Sequence, residues 1–336
     1  MIRIENQLTM RMRLRLIQLV LLIGTVALSA LLAHAQDADL VRHFDYDKEA
    51  PLGVKELGVE RRGDLSVYDI TYASPKGGLV PAYLVVPKGK GPFAAVIWGH
   101  WYWQNSPMRN RKQFLDEAVV LAGAGVVSLL TDGPVARPGH VQNREPLNEQ
   151  QTVDFVQQVL DMRRGVDVLL ARKDVDPKRL AYVGHSYNAG VGGILAGVER
   201  RFKAFVLMAG GLSDEVNAKT PQYQEFRQKV GPEKLDAFIA KYYYLDQGKF
   251  VSHAAPAVVF LQYATQETFL TPELARQYAA IVSEPKRFKL YEAPHALNAE
   301  ARRDRIAFLA EQLKLKPLSA AVIASIPDLY QPPAPN

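Results

Sequence analysis

One stretch of this chain has the residue types of a nucleophile on a sharp turn: AYVGHSYNAGVGG, Ala181 to Gly193. An apolar run leads into Ser186, and small residues follow it. The pattern G-x-S-x-G holds from Gly184 up to its last position, where Asn188 stands instead of glycine. A serine at the apex of a strand-to-helix turn projects its Oγ from the edge of a sheet, and the next backbone N–H faces the same space. The chemistry such a serine can do is acyl transfer, with backbone donors holding the oxyanion. Gly184, Ala189 and Gly190 supply the small residues that close strand–helix packing requires. Asn188 is bulkier, but asparagine tolerates unusual backbone angles better than most residues. Taken alone, the stretch reads equally well as a glycine-rich connection. It lacks the G-x-G-x-x-G or G-K-[ST] that would point to phosphate.

A serine hydroxyl is a poor nucleophile until a base takes its proton, and the base must be held by a third group. One arrangement runs serine, acid, histidine, each on a loop after a strand. Of the seven histidines, only His295, in LYEAPHALN, follows a late strand and precedes the last helix. The acid is expected after the strand PAVVFLQYA, where TQETFLTPE offers Glu267. Glu273 falls at a helix start, and Asp214 and Glu215 stand in reserve. The oxyanion hole calls for a second N–H from the loop WGHWYWQNS, so Trp101 or Tyr102 is expected to donate together with Tyr187. His100 and Trp103, with their aromatic neighbours, are expected to wall the substrate pocket. Asp132 is read as a loop-shaping residue. No HExxH or comparable spacing occurs, so no metal is expected.

These residues need elements to position them. LSVYDITYAS (65–74) and LVPAYLVVP (79–87) read as an antiparallel pair around a Lys-Gly-Gly turn. FAAVIWG (93–99) and VVSLLTD (126–132) are continuous apolar runs, as in strands buried on both faces. A helix over 112–125 separates them, and an amphipathic helix runs from about Glu149 to Ala171 after a loop over 133–148. Strands follow at 179–184, 203–210, 256–264 and 287–293, alternating with helices at 187–198, 272–281 and 298–314. Strands that alternate with helices of this length predict βαβ units and a mainly parallel sheet. Residues 211–250 are polar and tyrosine-rich, and read as a small helical insertion.

The ends and the charge balance narrow the class further. Arg3, Arg11, Arg13 and Arg15, an apolar run from Leu16 to Leu32, and AHAQ have the form of an export signal cleaved after Ala35. A retained membrane anchor is the alternative, since the run is close to spanning length. Residues 36–60 form an extension, 61–315 the main domain and 316–336 a tail. Loss of 1–35 takes the formal charge from +6 to +3, which is no nucleic-acid footprint. The chain has no cysteine, which excludes disulfides, thiolate metal sites and a cysteine nucleophile.

Four pieces resemble the α/β-hydrolase superfamily: the strand–GHSYNAG–helix, VIWGHW, PAVVFLQYATQETFLTPE and YEAPHALN. The resemblance covers about residues 60–315. The nearest group is the dienelactone hydrolase-like one, which is also similar to acetyl xylan esterases and to the catalytic domain of prolyl oligopeptidases. The resemblance implies a mostly parallel twisted sheet of about eight strands with helices on both faces. It also implies cofactor-free acyl transfer to water through Ser186, Glu267 and His295. Two positions depart from the pattern. One is Asn188. The other is the nucleophile, a cysteine in dienelactone hydrolases proper, so the resemblance says little about a dienelactone substrate. The expectation is an exported carboxylic ester hydrolase acting on a small-molecule ester, with no nucleic acid partner and no stable membrane association after cleavage. A serine peptidase of prolyl oligopeptidase type, and a binding protein of the same fold without turnover, are the alternatives.

Overall fold

The computed structural model describes residues 39–103, 106–141, 143, 145–267 and 270–329. The export signal expected over 1–35 and the end of the tail lie outside the described residues. Residues up to Asp45 form a unit of their own, of which 39–42 are a helical turn. Tyr46 onward forms the second unit. Among the described residues, no helix is long and apolar enough to cross a membrane.

The second unit is organised by one nine-stranded sheet in the order β1-β2-β3-β5-β4-β6-β7-β8-β9. The strands are β1 Lys55–Arg62, β2 Leu65–Ala73, β3 Leu79–Pro87, β4 Phe93–Gly99, β5 Val126–Thr131, β6 Val175–His185, β7 Ala204–Met208, β8 Val258–Ala264 and β9 Lys286–Tyr291. Pairing is antiparallel from β1 to β3 and between β3 and β5. It is parallel from β5 through β4, β6, β7 and β8 to β9. β4, β5, β7 and the Leu180–His185 part of β6 are almost wholly buried, in keeping with their mostly apolar sequences.

The structure extends the expected sheet of about eight strands by an edge strand, β1. Its sequence, KELGVERR, carries no apolar alternation because the strand is exposed over nearly its whole length. Backbone pairing with β2 holds it, and that pairing leaves no signature in side-chain type. β6 also begins earlier than expected. Its start at Val175 pairs with Phe93, and regular pairing resumes only at Leu180 with Ala95, so Asp176–Arg179 lies in the irregular stretch.

Helices cover both faces. On one face, α1 Leu115–Gly123 joins a C-terminal helix, Ala299–Leu313, over alternate residues of the strands. Ala94, Val96 and Trp98 of β4 and Ala181 and Val183 of β6 share a core with Phe114, Leu121, Phe308 and Leu309. On the other face lie α2 Glu149–Leu170 and α3 Tyr187–Val198. A Cβ at Gly165 of α2 would meet Leu129 and Ile97, and one at Gly192 of α3 would meet Leu207 and Tyr182. Between β7 and β8 the chain forms four short helices, α4 Asp214–Asn217, α5 Pro221–Val230, α6 Pro232–Lys241 and α7 Gly248–Val251. Then come α8 Pro272–Ile281, the C-terminal helix just described (α9), and α10 Ala320–Ala324.

The two helices on the first face are joined by an ion pair. Arg305 Nε donates to Glu117 Oε2 at 2.8 Å, and both side chains are buried. A buried pair of this kind adds little net stability, but removing one partner strands the other charge. Arg305→Leu is therefore expected to destabilise the fold by about 3–5 kcal/mol, read by urea unfolding at neutral pH. The double variant Glu117→Leu/Arg305→Leu is expected to recover most of that loss.

Candidate active site

The site sits at the C-terminal ends of the parallel strands. Ser186 is the single residue between β6 and α3, with φ +55° and ψ −112°. Non-glycine residues rarely occupy such angles, and doing so costs on the order of 1–3 kcal/mol. Neighbouring backbone over-determines the turn. Ser186 N–H donates to Met208 C=O at 2.7 Å, and its own C=O accepts from Ala189 and Gly190 N–H at 2.9 and 3.2 Å. Gly210 permits the approach from the next strand, since a Cβ there would come within 2.2 Å of the Ser186 carbonyl oxygen.

Asn188 takes part in this arrangement. It is fully buried on the first turn of α3. Its Nδ2 donates to the His100 carbonyl at 2.6 Å, and its Oδ1 accepts from Gln158 Nε2 at 3.0 Å. Its own carbonyl accepts from Tyr182 Oη at 2.7 Å. The room for this side chain comes from Gly99 at the end of β4, where a Cβ would lie 2.5 Å from Asn188 Cβ and Cγ. The small residue at this approach is therefore on the strand, not on the helix. The amide then ties the turn carrying Ser186 to the loop after β4.

The acid and the base come from adjacent strand ends. Beyond β8 and β9 the two chains stay paired, with Thr265 N–H donating to Tyr291 C=O at 2.9 Å and Gln266 N–H to Ala293 C=O at 3.1 Å. This pairing brings Glu267 to His295, whose Nδ1 is hydrogen-bonded to Glu267 Oε2. Both side chains are buried. His295 Nε2 is buried as well and has no hydrogen-bond partner among the described residues. Ser186, His295 and Glu267 line one cavity of about 360 Å³ together with Tyr102, Trp103, Ala209, Gly210, Gly211, Leu212 and Leu270. Tyr102 also lines a second cavity of about 140 Å³, shared with Tyr187, His140 and Asp154.

The reserve acids lie elsewhere. Glu273 is in the first turn of α8, where its carboxylate accepts from Gln277. Glu215 pairs with Lys219, and Asp214 sits on α4 with its carboxyl raised by burial. Asp132 shapes its loop by accepting from Arg111 N–H at 2.8 Å.

Two expected roles need correction. Trp101 N–H points away from the cavity and donates to Gln113 Oε1 at 2.6 Å, so it is no oxyanion donor. Its indole instead covers His295, nearly parallel at 6.1 Å. His100 does not wall the pocket. It is buried, its Nδ1–H donates to Trp101 C=O at 2.7 Å, and its Nε2 accepts from Gly133 N–H at 3.0 Å. Trp103 does line the cavity, with its ring 4.9 Å from that of His295. Tyr187 occupies the first position of α3, where the N–H has no acceptor within its own helix. Sequence reasoning missed Gln113, Gln158 and the use of His185, because a buried amide partner carries no spacing signature. Among the described residues, no group of three or more His, Cys, Asp or Glu side chains could hold a metal.

Known proteins place this architecture. No family model matches the chain, and the curated proteins searched gave no match. Solved structures do match. An acetyl xylan esterase from Paenibacillus sp. R4 is 20% identical with a TM-score of 0.63, over 83% of this chain and 93% of that one. Acetyl xylan esterase 1 from Thermoanaerobacterium sp. JW/SL YS485 is 16% identical with a TM-score of 0.65, over 82% and 93%. A glucuronoyl esterase from Solibacter usitatus is 13% identical with a TM-score of 0.56, over 82% and 91%. The chain has the α/β-hydrolase fold.

Two outcomes follow from the site's framework. Asn188→Gly would leave the His100 carbonyl and the Gln158 amide unpaired and open a void over Gly99. A loss of about 2–4 kcal/mol is expected in urea unfolding, although glycine is the usual residue in this pattern. Burial pushes the His100 imidazole down from 6.5 to about 4. The unfolded chain then binds its proton first, so stability falls as pH drops through that window. The expected contribution is about 3 kcal/mol. Unfolding titrations of His100→Gln should show a shallower acid slope than the wild type.

Proposed function

We propose that the chain is an exported serine hydrolase cleaving carboxylic esters through Ser186, His295 and Glu267. The reading rests on one observation above all. A serine on a positive-φ turn shares a cavity with a histidine whose far nitrogen is bound to a buried carboxylate. A buried acid on Nδ1 sets the imidazole tautomer and leaves Nε2 to accept a proton.

In this mechanism His295 Nε2 takes the Ser186 proton as Oγ attacks the ester carbonyl carbon. The carbonyl oxygen gains the negative charge and receives hydrogen bonds from the Tyr187 and Tyr102 N–H groups. Glu267 stabilises the imidazolium without itself taking the proton. The imidazolium then protonates the leaving alkoxide, and an acyl-enzyme remains on Ser186. Water, deprotonated by His295, attacks that ester, and the returning proton frees Ser186.

The cavity walls suggest the substrate. Ala209, Leu212 and Leu270 are apolar, Tyr102 and Trp103 are aromatic, and the Glu267 carboxylate in the lining is already paired with His295. A neutral ester suits such walls better than an ionised one. Acetyl esters of sugars belong first on the panel, since two of the similar structures are acetyl xylan esterases. Export rests on the basic, apolar and Ala-x-Ala pattern of residues 1–35.

A fluorophosphonate probe tests the reading directly. Wild type is expected to be labelled at Ser186, and Ser186→Ala is expected to abolish labelling and ester turnover. Glu267→Gln is expected to lower kcat by up to about 10⁴-fold while the serine stays labelable at long times. An unlabelled wild-type protein would leave a binding protein of this fold as the better reading.

A further inference from the structure

One buried chain of hydrogen bonds is used by none of these steps. Trp101 N–H can only donate, so the Gln113 atom it meets at 2.6 Å is the amide oxygen. The amide nitrogen is therefore the atom that faces His185, and it donates to His185 Nδ1 at 2.6 Å. With Nδ1 an acceptor, the single imidazole proton sits on Nε2, which donates to the His295 carbonyl at 2.9 Å. The His185 ring is fully buried, 5.0 Å from the Trp101 ring and 5.2 Å from the His295 ring.

The chain joins three segments that the chemistry needs in register. Trp101 precedes Tyr102 on the loop after β4. His185 precedes Ser186 at the end of β6. His295 follows β9. Asn188 already ties the nucleophile turn to the donor loop through the His100 carbonyl. The hydrogen-bond chain adds a tie from both of these segments to the His295 backbone, on a loop, which moves more readily than a strand. Resting on the hydrolase reading above, we infer that Gln113 and neutral His185 are positioning residues, a relay that fixes the His295 backbone against the nucleophile turn and the donor loop. The relay holds only in one tautomer, because a proton on Nδ1 would turn Gln113 away and leave Nε2 facing a carbonyl without a hydrogen.

The surroundings favour the neutral ring. Burial holds the His185 pKa well below its ordinary value, and the charged or titratable neighbours acting on it, His295 and Arg305, disfavour a second positive charge. Arg305 is itself bound to Glu117, and the remaining ring neighbours, Trp101 and Phe114, are uncharged. A neutral His185 adds no repulsion when His295 becomes an imidazolium.

The test has an activity arm and a spectroscopic arm, both on the intact chain. His185→Leu and Gln113→Leu are expected to lower kcat by about tenfold to a hundredfold, the size of effect that a small misplacement of a reacting group produces. KM should stay within about a factor of three, since ground-state binding is not touched. His185→Gln can both accept from Gln113 and donate to the His295 carbonyl, so it should recover most of kcat. In wild type, long-range ¹H–¹⁵N spectra of the histidines should show His185 as the Nε2–H tautomer, neutral from pH 5 to 8. An Nδ1–H tautomer, a titration in that range, or wild-type kcat in both leucine variants would each overturn the relay. Should the leucine variants fail to fold, the wild-type spectra decide. Failure of the hydrolase reading looks different: wild type would escape the fluorophosphonate probe, whatever tautomer His185 shows.

Discussion

A serine held at φ +55° is the constraint around which this molecule is arranged. Left to itself the backbone would relax out of that angle, and the hydroxyl would fall back toward the strand. The cost is offset by contacts from three directions: Met208 C=O from the neighbouring strand, the first turn of α3 from below, and the close backbone of Gly210. Each of these requires β7 and the Leu180–His185 part of β6 to be buried and in parallel register, which the apolar residues of both secure. Strain at the turn and packing of the sheet are thus two sides of one balance.

The exchange between Gly99 and Asn188 shows how such a balance can be kept with a different residue set. Close approach of strand β4 to helix α3 needs one small partner, and it does not matter which element supplies it. Here the strand gives up its side chain, and the helix uses the space for an amide with partners on α2 and on the loop after β4. The departure from the linear pattern at Asn188 is accommodated by a glycine on the facing strand. The amide then adds cohesion that a glycine could not, because it ties the turn to the loop bearing Tyr102.

Much of this was legible in the residues themselves, for identifiable reasons. β4 and β5 are read from continuous apolar runs because burial on both faces leaves no freedom in side-chain type, whereas β9, KRFKLY, is only partly buried and is read from its place in the strand–helix alternation. Ser186, Glu267 and His295 are read from their positions after strands, and the structure brings all three to one cavity. β1 escaped because an exposed edge strand held by backbone pairing constrains few side chains. The direction of a single N–H, which removed Trp101 as a donor, depends on a peptide plane set by Gln113, a residue twelve positions away with no motif around it. His100 misled for the related reason that a histidine beside a catalytic loop can be satisfied entirely by backbone, as this one is.

The paired extensions of β8 and β9 carry a consequence for how this scaffold can vary. Because Thr265 and Gln266 remain zipped to Tyr291 and Ala293, the carboxylate and the imidazole ride on one ribbon. Insertions or deletions between the strand ends and these two bonds would break the ribbon and separate the pair. Variation in length is therefore channelled to the far side of the zipper, past Glu267 and past His295. There, new loops can reshape what enters the cavity while the proton-handling pair is inherited as a block.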